Sequence, residues 1–324
     1  MYSIDSLAEI VDKGMRSITI PEDPNQLYEP IRYTLASGGK RIRPILVLAA
    51  NNLFSKSVDK ALFSALAIEV FHNFTLIHDD IMDNAMLRRN QPTVFNKWGL
   101  NNAILSGDAM NILAYQLIAR TEKESLSQVF NVFNEIALGV CDGQQMDLNF
   151  ESAHYVTQDE YIRMIELKTA ILISGALRIG AIVAKANHSD INNLGEFGIN
   201  LGLAFQLQDD LLDTFGNSKT FGKIIGGDIV ANKKTFLTVK AFSLAKGKTL
   251  ELLSSYFKLE TIDPIKKVKD VTSIYNDLGI KEITEDKIKE YFNSAMSALD
   301  AVRVPIESKN TLTCIANMIM GRER

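Results

Sequence analysis

The chain of 324 residues is 46 % apolar and 23 % charged, which is the composition of a globular protein with a sizeable core. Its formal net charge of −4 argues against a nucleic-acid partner. The amino terminus lacks a basic head followed by an apolar core, and no uncharged apolar run reaches the ~20 residues that a membrane span needs. We therefore expect no signal peptide and no transmembrane segment.

Cysteine and proline usage favours a helical protein of a reducing compartment. Cys141 and Cys314 stand in apolar helical segments, so the sequence predicts no disulfide framework and a cytoplasmic location. Only seven prolines are present, and strand-like alternation is scarce, so long helices in one bundle are expected. Because no linker is long enough to divide the chain, residues 1–324 are predicted to form one domain.

The predicted elements begin with a leading helix that ends before Pro21 and Pro24. A short helix over residues 27–35 leads to a glycine-flanked basic turn at residues 37–44. A further short helix is followed, over residues 60–83, by a long one with little polar face, which is typical of a helix buried on most sides.

A basic loop at residues 88–93 separates this helix from the next two. These are predicted over residues 101–119 and 128–149, and the small and polar groups at Gly107 and Gly143 are expected to interrupt them.

The second half of the chain is also predicted to be helical. Thr157 and Glu160 form the pattern of a cap followed by an acid that starts a helix. Strongly apolar helices are predicted over residues 171–184 and 191–213, and a glycine-rich loop containing a lysine over residues 221–228. The remainder is a series of amphipathic helices.

Two acidic clusters close two of the apolar helices, at residues 79–83 and 209–213. In a helix, positions four apart share a face, so Asp79 and Asp83 point the same way with Asp80 beside them. Carboxylates crowded beside apolar residues repel one another, and a divalent cation relieves that cost. One such cluster is commonly a solvated helix end, but two of the same form predict a Mg²⁺ site. The second cluster consists of Asp209, Asp210 and Asp213.

Basic residues stand close in the chain to both acidic clusters, which predicts a site for diphosphates. Arginine binds phosphate through two parallel hydrogen bonds, and lysine acts as a point charge. The number of basic positions suggests two diphosphates, one held through metal and one by side chains alone. The candidate residues are Lys40, Arg43, Arg88, Arg89, Lys168, Lys223 and Lys233.

These residues resemble the trans-isoprenyl diphosphate synthases, the polyprenyl synthetase family, and its short-chain farnesyl and geranylgeranyl members in particular. The resemblance runs from about Gly38 to Thr235 and rests on an ordered set of motifs. The family usually has glycine after its arginine pair, where this chain has Asn90, a residue that tolerates a left-handed backbone. The motifs are both acidic clusters, Gly-Gly-Lys-Arg-Ile-Arg-Pro, Arg88-Arg89, Lys168-Thr169, Phe205-Gln206, Gly222-Lys223, Asp228 and Lys233.

The resemblance implies an all-α fold, a single-domain antiparallel helical bundle around a deep central cavity known as the isoprenoid synthase fold, and a homodimer. It implies a prenyltransferase that joins isopentenyl diphosphate head-to-tail to allylic diphosphates in an Mg²⁺-dependent reaction, with three Mg²⁺ ions per active site. The implied product is a short-chain, all-trans prenyl diphosphate.

The resemblance also implies a role for each candidate residue. Mg²⁺ would bridge the allylic diphosphate to Asp79, Asp83 and Asp209, with Asp80, Asp210 and Asp213 binding directly or supporting those ligands. Isopentenyl diphosphate would bind Lys40, Arg43, His72 and Arg89. The allylic diphosphate would bind Arg88, Lys168, Thr169, Gln206, Lys223 and Lys233. Lys168, Thr169 and Gln206 are also the catalytic candidates. The Thr169 hydroxyl and Gln206 amide oxygens would stabilise the allylic cation through their dipoles.

Product length is expected to depend on the helix before the first acidic cluster. One helical turn rises about 5.4 Å, comparable to one isoprene unit, so a growing chain would pass Thr75 and then Phe71. Phe74 is the bulky residue near this path, and in the family an aromatic there limits the product to short chains. Because Thr75 is small, we expect a C20 product in preference to C15. A plain core phenylalanine is the alternative interpretation of Phe74.

Other functions remain open at this point. A terpene cyclase shares the first cluster but usually has a different second metal motif, and a squalene-type synthase would be expected to carry a membrane anchor. A longer-chain polyprenyl diphosphate synthase, or its non-catalytic partner subunit, is a further alternative, although such subunits tend to lose acidic residues. A di-iron bundle would need Glu-x-x-His pairs, which the sequence lacks.

Overall fold

The computed structural model describes residues 1–216, 225–258 and 263–321. Over these ranges the secondary structure is helical except for one short hairpin, so the predicted all-α class is confirmed. In the first half of the chain the helices are α1 (Ile4–Arg16), α2 (Asn25–Ala36), α3 (Ile42–Asn52), α4 (Leu62–Met82), α5 (Val94–Trp98), α6 (Leu100–Ile118) and α7 (Lys123–Ser152).

The second half begins with α8 (Gln158–Ile165), which continues without a break through a π-helical segment (Glu166–Ala170) into α9 (Ile171–Val183). The helices that follow are α10 (His188–Phe215), α11 (Gly227–Val230), α12 (Phe236–Leu244), α13 (Gly247–Lys258), α14 (Pro264–Asp277), α15 (Ile280–Asp300) and α16 (Asn310–Met320). Single 3₁₀ turns precede α4 and α16.

The described chain divides into two compact units. The first consists of residues 1–134, 175–194 and 303–312, and the second of residues 135–174, 195–302 and 313–324. The predicted single domain over residues 1–324 stays a prediction.

Helix α4 is the centre of the first unit, and it packs chiefly along α6. The two helices approach most closely at Gly107, where an added Cβ would lie 2.3 Å from His78 Nε2. The predicted interruption at Gly107 is wrong, because α6 runs through it: the missing side chain makes room for a neighbouring helix instead of ending its own.

Helix α4 and the preceding 3₁₀ turn, residues 59–82, are long and apolar enough to span a membrane by length and composition alone. However, 61 % of the apolar window is buried within the protein. That burial is typical of the core helix of a globular protein, as the continuous apolar pattern predicts.

A hairpin in the first unit carries the arginine pair. Strands β1 (Leu87–Arg88) and β2 (Gln91–Pro92) are antiparallel and are joined by a two-residue turn, Arg89–Asn90. Both turn residues are left-handed, with φ of 53° at Arg89 and 61° at Asn90, as a tight hairpin of this type requires. The expectation that Asn90 would adopt the left-handed backbone is confirmed.

The second unit has its own core around the π-helical segment. Tyr161 and Ile165 of α8, Leu207 of α10 and Phe236 of α12 belong to one buried apolar cluster. The predicted start of α8 is confirmed: Thr157 accepts from the Glu160 amide, and the Glu160 side chain accepts from the Thr157 amide.

Helix α7 also runs without a break through Gly143, so the predicted interruption there is wrong as well. An added Cβ at Gly143 would lie 2.3 Å from the backbone nitrogen of Lys168. The glycine therefore permits a close backbone contact, which a pattern of helix breakers does not reveal.

Candidate active site

The first acidic cluster ends α4. Asp79 and Asp80 lie in its last turn, and Asp83 is the residue that caps it. Asp83 is exposed, Asp79 is half-buried and Asp80 is buried. Asp79 and Asp83, four residues apart, therefore have carboxylates accessible to a ligand, while Asp80 is turned into the protein.

Asp80 forms an ion pair with Arg88 of the hairpin, with Arg88 Nε 2.8 Å from Asp80 Oδ1. Burial raises the pKa of Asp80, and the charge and hydrogen bond of Arg88 counteract that increase. The structure thus joins a predicted metal ligand directly to a predicted diphosphate-binding arginine. Both side chains also line a small cleft in the first unit.

Arg43 and His72, both predicted to bind isopentenyl diphosphate, lie together in the first unit. Arg43 Nη1 is 3.1 Å from His72 Nε2, and because a guanidinium can only donate, the imidazole accepts. Burial, and then the charges of Arg43 and Arg89, lower the pKa of His72 well below 6.5. His72 is therefore a neutral acceptor that orients Arg43.

The other two residues of this group, Arg89 of the hairpin and Lys40 of the basic turn, both lie at the glycine pair Gly38–Gly39. Arg89 Nη1 donates to the carbonyl of Gly38, which fixes the arginine against the glycine pair of the turn. Lys40 is exposed next to that pair. Arg43 lies in the first turn of α3, two residues after Arg41, which adopts a left-handed backbone with φ of 48°.

The second acidic cluster lies near the end of α10. Asp210 is buried and accepts hydrogen bonds from the Tyr161 hydroxyl, from Gln206 Nε2 at 3.1 Å and from the Phe236 amide at 3.3 Å. Burial raises the pKa of Asp210 to about 7, against the lowering effect of these hydrogen bonds.

Asp213 is also buried, and its Oδ2 accepts from the Asp228 amide at 3.0 Å. Asp209 is half-buried and lines the same cavity as its two neighbours. Of the three, Asp209 is the carboxylate most accessible from that cavity.

A cavity of about 170 Å³ in the second unit brings together most of the predicted residues of this half of the chain. Lys168 Nζ lies 2.5 Å from Asp147 Oδ2 at its wall, and Thr169 Oγ1 donates to Gln206 Oε1 at 3.1 Å. The predicted residues that line the cavity are Lys168, Thr169, Gln206, Asp209, Asp210, Asp213 and Lys233. Lys223 lies outside the described residues.

The donors fit magnesium in their chemistry. Every carboxylate in the cavity supplies hard oxygen atoms, as Mg²⁺ prefers. Within the described ranges, no three His, Cys, Asp or Glu side chains are grouped closely enough to hold a metal ion alone. In the usual Mg²⁺ site, one or two carboxylates bind the ion, and phosphate oxygens and water complete its coordination.

The residues predicted to limit product length lie on α4 in the first unit. Phe71 is buried, whereas Phe74 is half-buried between it and His78, at ring-centre distances of 5.5 Å and 4.8 Å. Thr75 donates its hydroxyl hydrogen to the His72 carbonyl at 2.8 Å. Its side chain is therefore small, and its hydroxyl hydrogen is bonded within α4.

These features are those of a prenyltransferase with the isoprenoid synthase fold. The Polyprenyl synthetase family profile matches residues 24–278, and the chain therefore belongs to that family.

Known proteins of the same kind are similar over nearly the whole chain. A geranylgeranyl diphosphate synthase of Sulfolobus acidocaldarius is 35 % identical over 289 residues, which cover 87 % of this chain and 86 % of that protein. A crystal structure of a geranylgeranyl pyrophosphate synthase has a TM-score of 0.95 and 40 % identity, and covers 100 % of both chains.

A third match was solved with its ligands. The geranylgeranyl pyrophosphate synthase of Corynebacterium glutamicum, complexed with isoprenyl diphosphate and magnesium, has a TM-score of 0.83 and 26 % identity. The match covers 99 % of this chain and 97 % of the Corynebacterium chain.

Proposed function

We propose that the protein joins isopentenyl diphosphate head-to-tail to allylic diphosphates and releases a short-chain, all-trans prenyl diphosphate. The main support is the cavity of the second unit. There two lysines, a hydroxyl–amide pair and three aspartates, all expected from the family motifs, line one cavity.

Asp79 and Asp83 of the first cluster and Asp209 of the second would bind the metal directly, because their carboxylates are the accessible ones. Asp80, Asp210 and Asp213 would support them from more buried positions. When bound, Mg²⁺ acts as a Lewis acid that stabilises the negative charge of the departing diphosphate. The relative solved with isoprenyl diphosphate and magnesium supports the choice of this metal. We propose three ions per site.

Two separate groups of residues would bind the two substrates. Arg43, with its orientation fixed by His72, would bind isopentenyl diphosphate together with Lys40 and Arg89. The allylic diphosphate would bind Arg88 and the residues of the second-unit cavity, Lys168, Thr169, Gln206 and Lys233, with Lys223 beyond the described part of the chain.

Thr169 and Gln206 would stabilise the allylic cation. Their mutual hydrogen bond leaves lone pairs of the hydroxyl and amide oxygens, and oriented dipoles of this kind stabilise charge that develops during reaction. The double bond of isopentenyl diphosphate attacks the cation, and the proton then lost passes to the released diphosphate.

The expected product is C20 in preference to C15. The names of the three similar geranylgeranyl synthases support that length, and so does a half-buried Phe74 one turn before His78. We further propose a homodimer in the cytoplasm.

The decisive experiment incubates the purified protein with Mg²⁺, labelled isopentenyl diphosphate and the C5, C10 or C15 allylic diphosphate. Chromatography after dephosphorylation should give geranylgeraniol as the main labelled alcohol from each primer. A cyclic hydrocarbon formed from an allylic diphosphate alone would instead indicate a terpene cyclase. No labelled product with any primer would refute the proposal.

A further inference from the structure

The π-helical segment Glu166–Ala170 carries both Lys168 and Thr169. A π turn contains one residue more than an α turn, and such turns occur often at functional sites. It is held in the second unit by two helices, α7 and α10, and each contacts it through a glycine. The proposal made here concerns those glycines and rests on the function proposed above.

On α7 the contact is between Gly143 and the backbone of Lys168. An added Cβ at Gly143 would lie 2.3 Å from Lys168 N and 2.8 Å from Lys168 Cα. Backbone atoms cannot rotate away as a side chain can. One turn farther along the same face of α7, Asp147 accepts from Lys168 Nζ at 2.5 Å.

On α10 the arrangement is the same. An added Cβ at Gly202 would lie 2.5 Å from Ala170 Cα, so α10 also approaches the backbone of the π turn. One turn farther along, Gln206 accepts from Thr169 Oγ1 at 3.1 Å.

We propose that Gly143 and Gly202 are positioning residues for the allylic site. Each allows a helix to approach the π turn closely enough for the polar residue one turn later to reach the turn. Asp147 thereby sets the direction of Lys168, and Gln206 that of Thr169. The two pairs, Gly143 with Asp147 and Gly202 with Gln206, fix both side chains on the wall of the cavity.

A matched control lies one turn before Gly143. An added Cβ at Gly139 would lie 2.5 Å from Ile171 Cδ1, and its next contact is at 3.5 Å. Ile171 Cδ1 is the end of a flexible side chain, so Gly139→Ala requires only a rotation of that side chain. Gly139→Ala and Gly143→Ala both replace glycine by alanine within α7, so the two variants gain the same intrinsic helix propensity.

The test compares steady-state kinetics of Gly143→Ala, Gly202→Ala and Gly139→Ala with those of the unaltered protein. We expect the KM for the allylic diphosphate to rise roughly tenfold or more in the first two, because small misplacements of binding groups are costly. In the same two variants, the KM for isopentenyl diphosphate should stay within about twofold of that of the unaltered protein. Gly139→Ala should change neither KM. A merely structural effect would lower the yield of active protein and leave both KM values unchanged.

Asp147→Asn provides a second test that leaves both glycines in place. The substitution keeps the shape of the side chain but removes the charge that holds Lys168, so the allylic KM should rise while the KM for isopentenyl diphosphate does not. If the glycine variants do not fold, the allylic KM of Asp147→Asn decides whether Asp147 sets the direction of Lys168. Unchanged allylic KM in Asp147→Asn and in any folded glycine variant would overturn the inference. If the unaltered protein forms no prenyl diphosphate at all, the proposed function fails instead.

Discussion

The guanidinium of Arg41 lies 2.5 Å from Glu69 Oε1, with only 7 % and 6 % of the two side chains exposed. Arg41 also donates to the carbonyl of Leu35 at 2.7 Å, and Asn73 donates to the same Glu69 oxygen at 3.0 Å. This buried ion pair attaches the basic turn to α4, three residues before His72. It therefore determines where the turn that carries Lys40 and Arg43 lies relative to His72.

Glu69→Ala should destabilise the protein by about 3–5 kcal/mol, because it leaves a buried arginine without its counter-ion. The free energy of unfolding in urea measures this loss. Glu122→Ala is the control, since Glu122 pairs with Lys60 at 2.9 Å while 40 % of its side chain is exposed, and such pairs contribute about 1 kcal/mol or less. Equal losses in the two variants would show that the buried pair does not anchor the turn.

His72→Leu should raise the KM for isopentenyl diphosphate about tenfold, because it removes the acceptor that orients Arg43, a hydrogen bond to a charged group. The KM for the allylic diphosphate should stay unchanged. His188→Leu, on the exposed first turn of α10, is the control. Because burial and Arg43 lower the pKa of His72, the KM of the unaltered protein should show no inflection near pH 6.5. An inflection there that disappears in His72→Leu would contradict the neutral assignment.

In the metal-free protein, the contribution of Asp210 to stability should fall as the pH rises from about 4 to 7. Burial raises the pKa of Asp210 to about 7 in the folded state, whereas an unfolded aspartate titrates near 4. Between these values the folded state binds the extra proton, so its stability decreases with pH. In EDTA, the Tm of Asp210→Asn should fall less over this range than that of the unaltered protein. Parallel curves for the two proteins would exclude a protonated Asp210.

Asp79→Ala and Asp209→Ala should each lower kcat by roughly 10²-fold or more, because each removes a group that stabilises charge in the transition state. Circular dichroism should show an unchanged helix content in both variants. Asp12→Ala, at an exposed position of α1, should leave kcat unaltered. Near-normal turnover in Asp79→Ala would remove the metal role assigned to the first cluster.

Phe74→Ala should lengthen the product by at least one isoprene unit, since it removes the half-buried ring on the path along α4. Chromatography of the dephosphorylated products measures the change. Phe130→Ala, which removes an exposed ring from α7, is the control and should leave the product length unchanged. If Phe74→Ala gives the same product as the unaltered protein, Phe74 is a core residue and another residue limits the chain.

The sequence predicts the helices well because the relevant forces are local. The apolar pattern of residues 60–83 and the capping pair of Thr157 and Glu160 involve neighbours only a few positions apart, and both are confirmed. The predicted polar residues of the second-unit cavity could likewise be recognised from the order of their motifs.

The residues that sequence reasoning missed act over long separations. Tyr161 reaches Asp210 across 49 positions, Asp147 reaches Lys168 across 21, and Arg41 reaches Glu69 across 28. No local pattern reports such contacts. Gly143 was predicted to break a helix for the same reason: helix propensity is local, whereas the close backbone contact that uses the glycine is tertiary.

The hairpin at residues 87–92 has a consequence for how the chain can vary. Arg88, in strand β1, forms an ion pair with Asp80, whereas Arg89, in the left-handed turn, donates to the carbonyl of Gly38. Losing or gaining a single residue there would move one of the arginines out of its position in the strand or in the turn, even with both arginines retained. Selection should consequently tolerate a substitution at Asn90, such as Asn90→Gly, far more readily than an insertion or deletion in this hairpin.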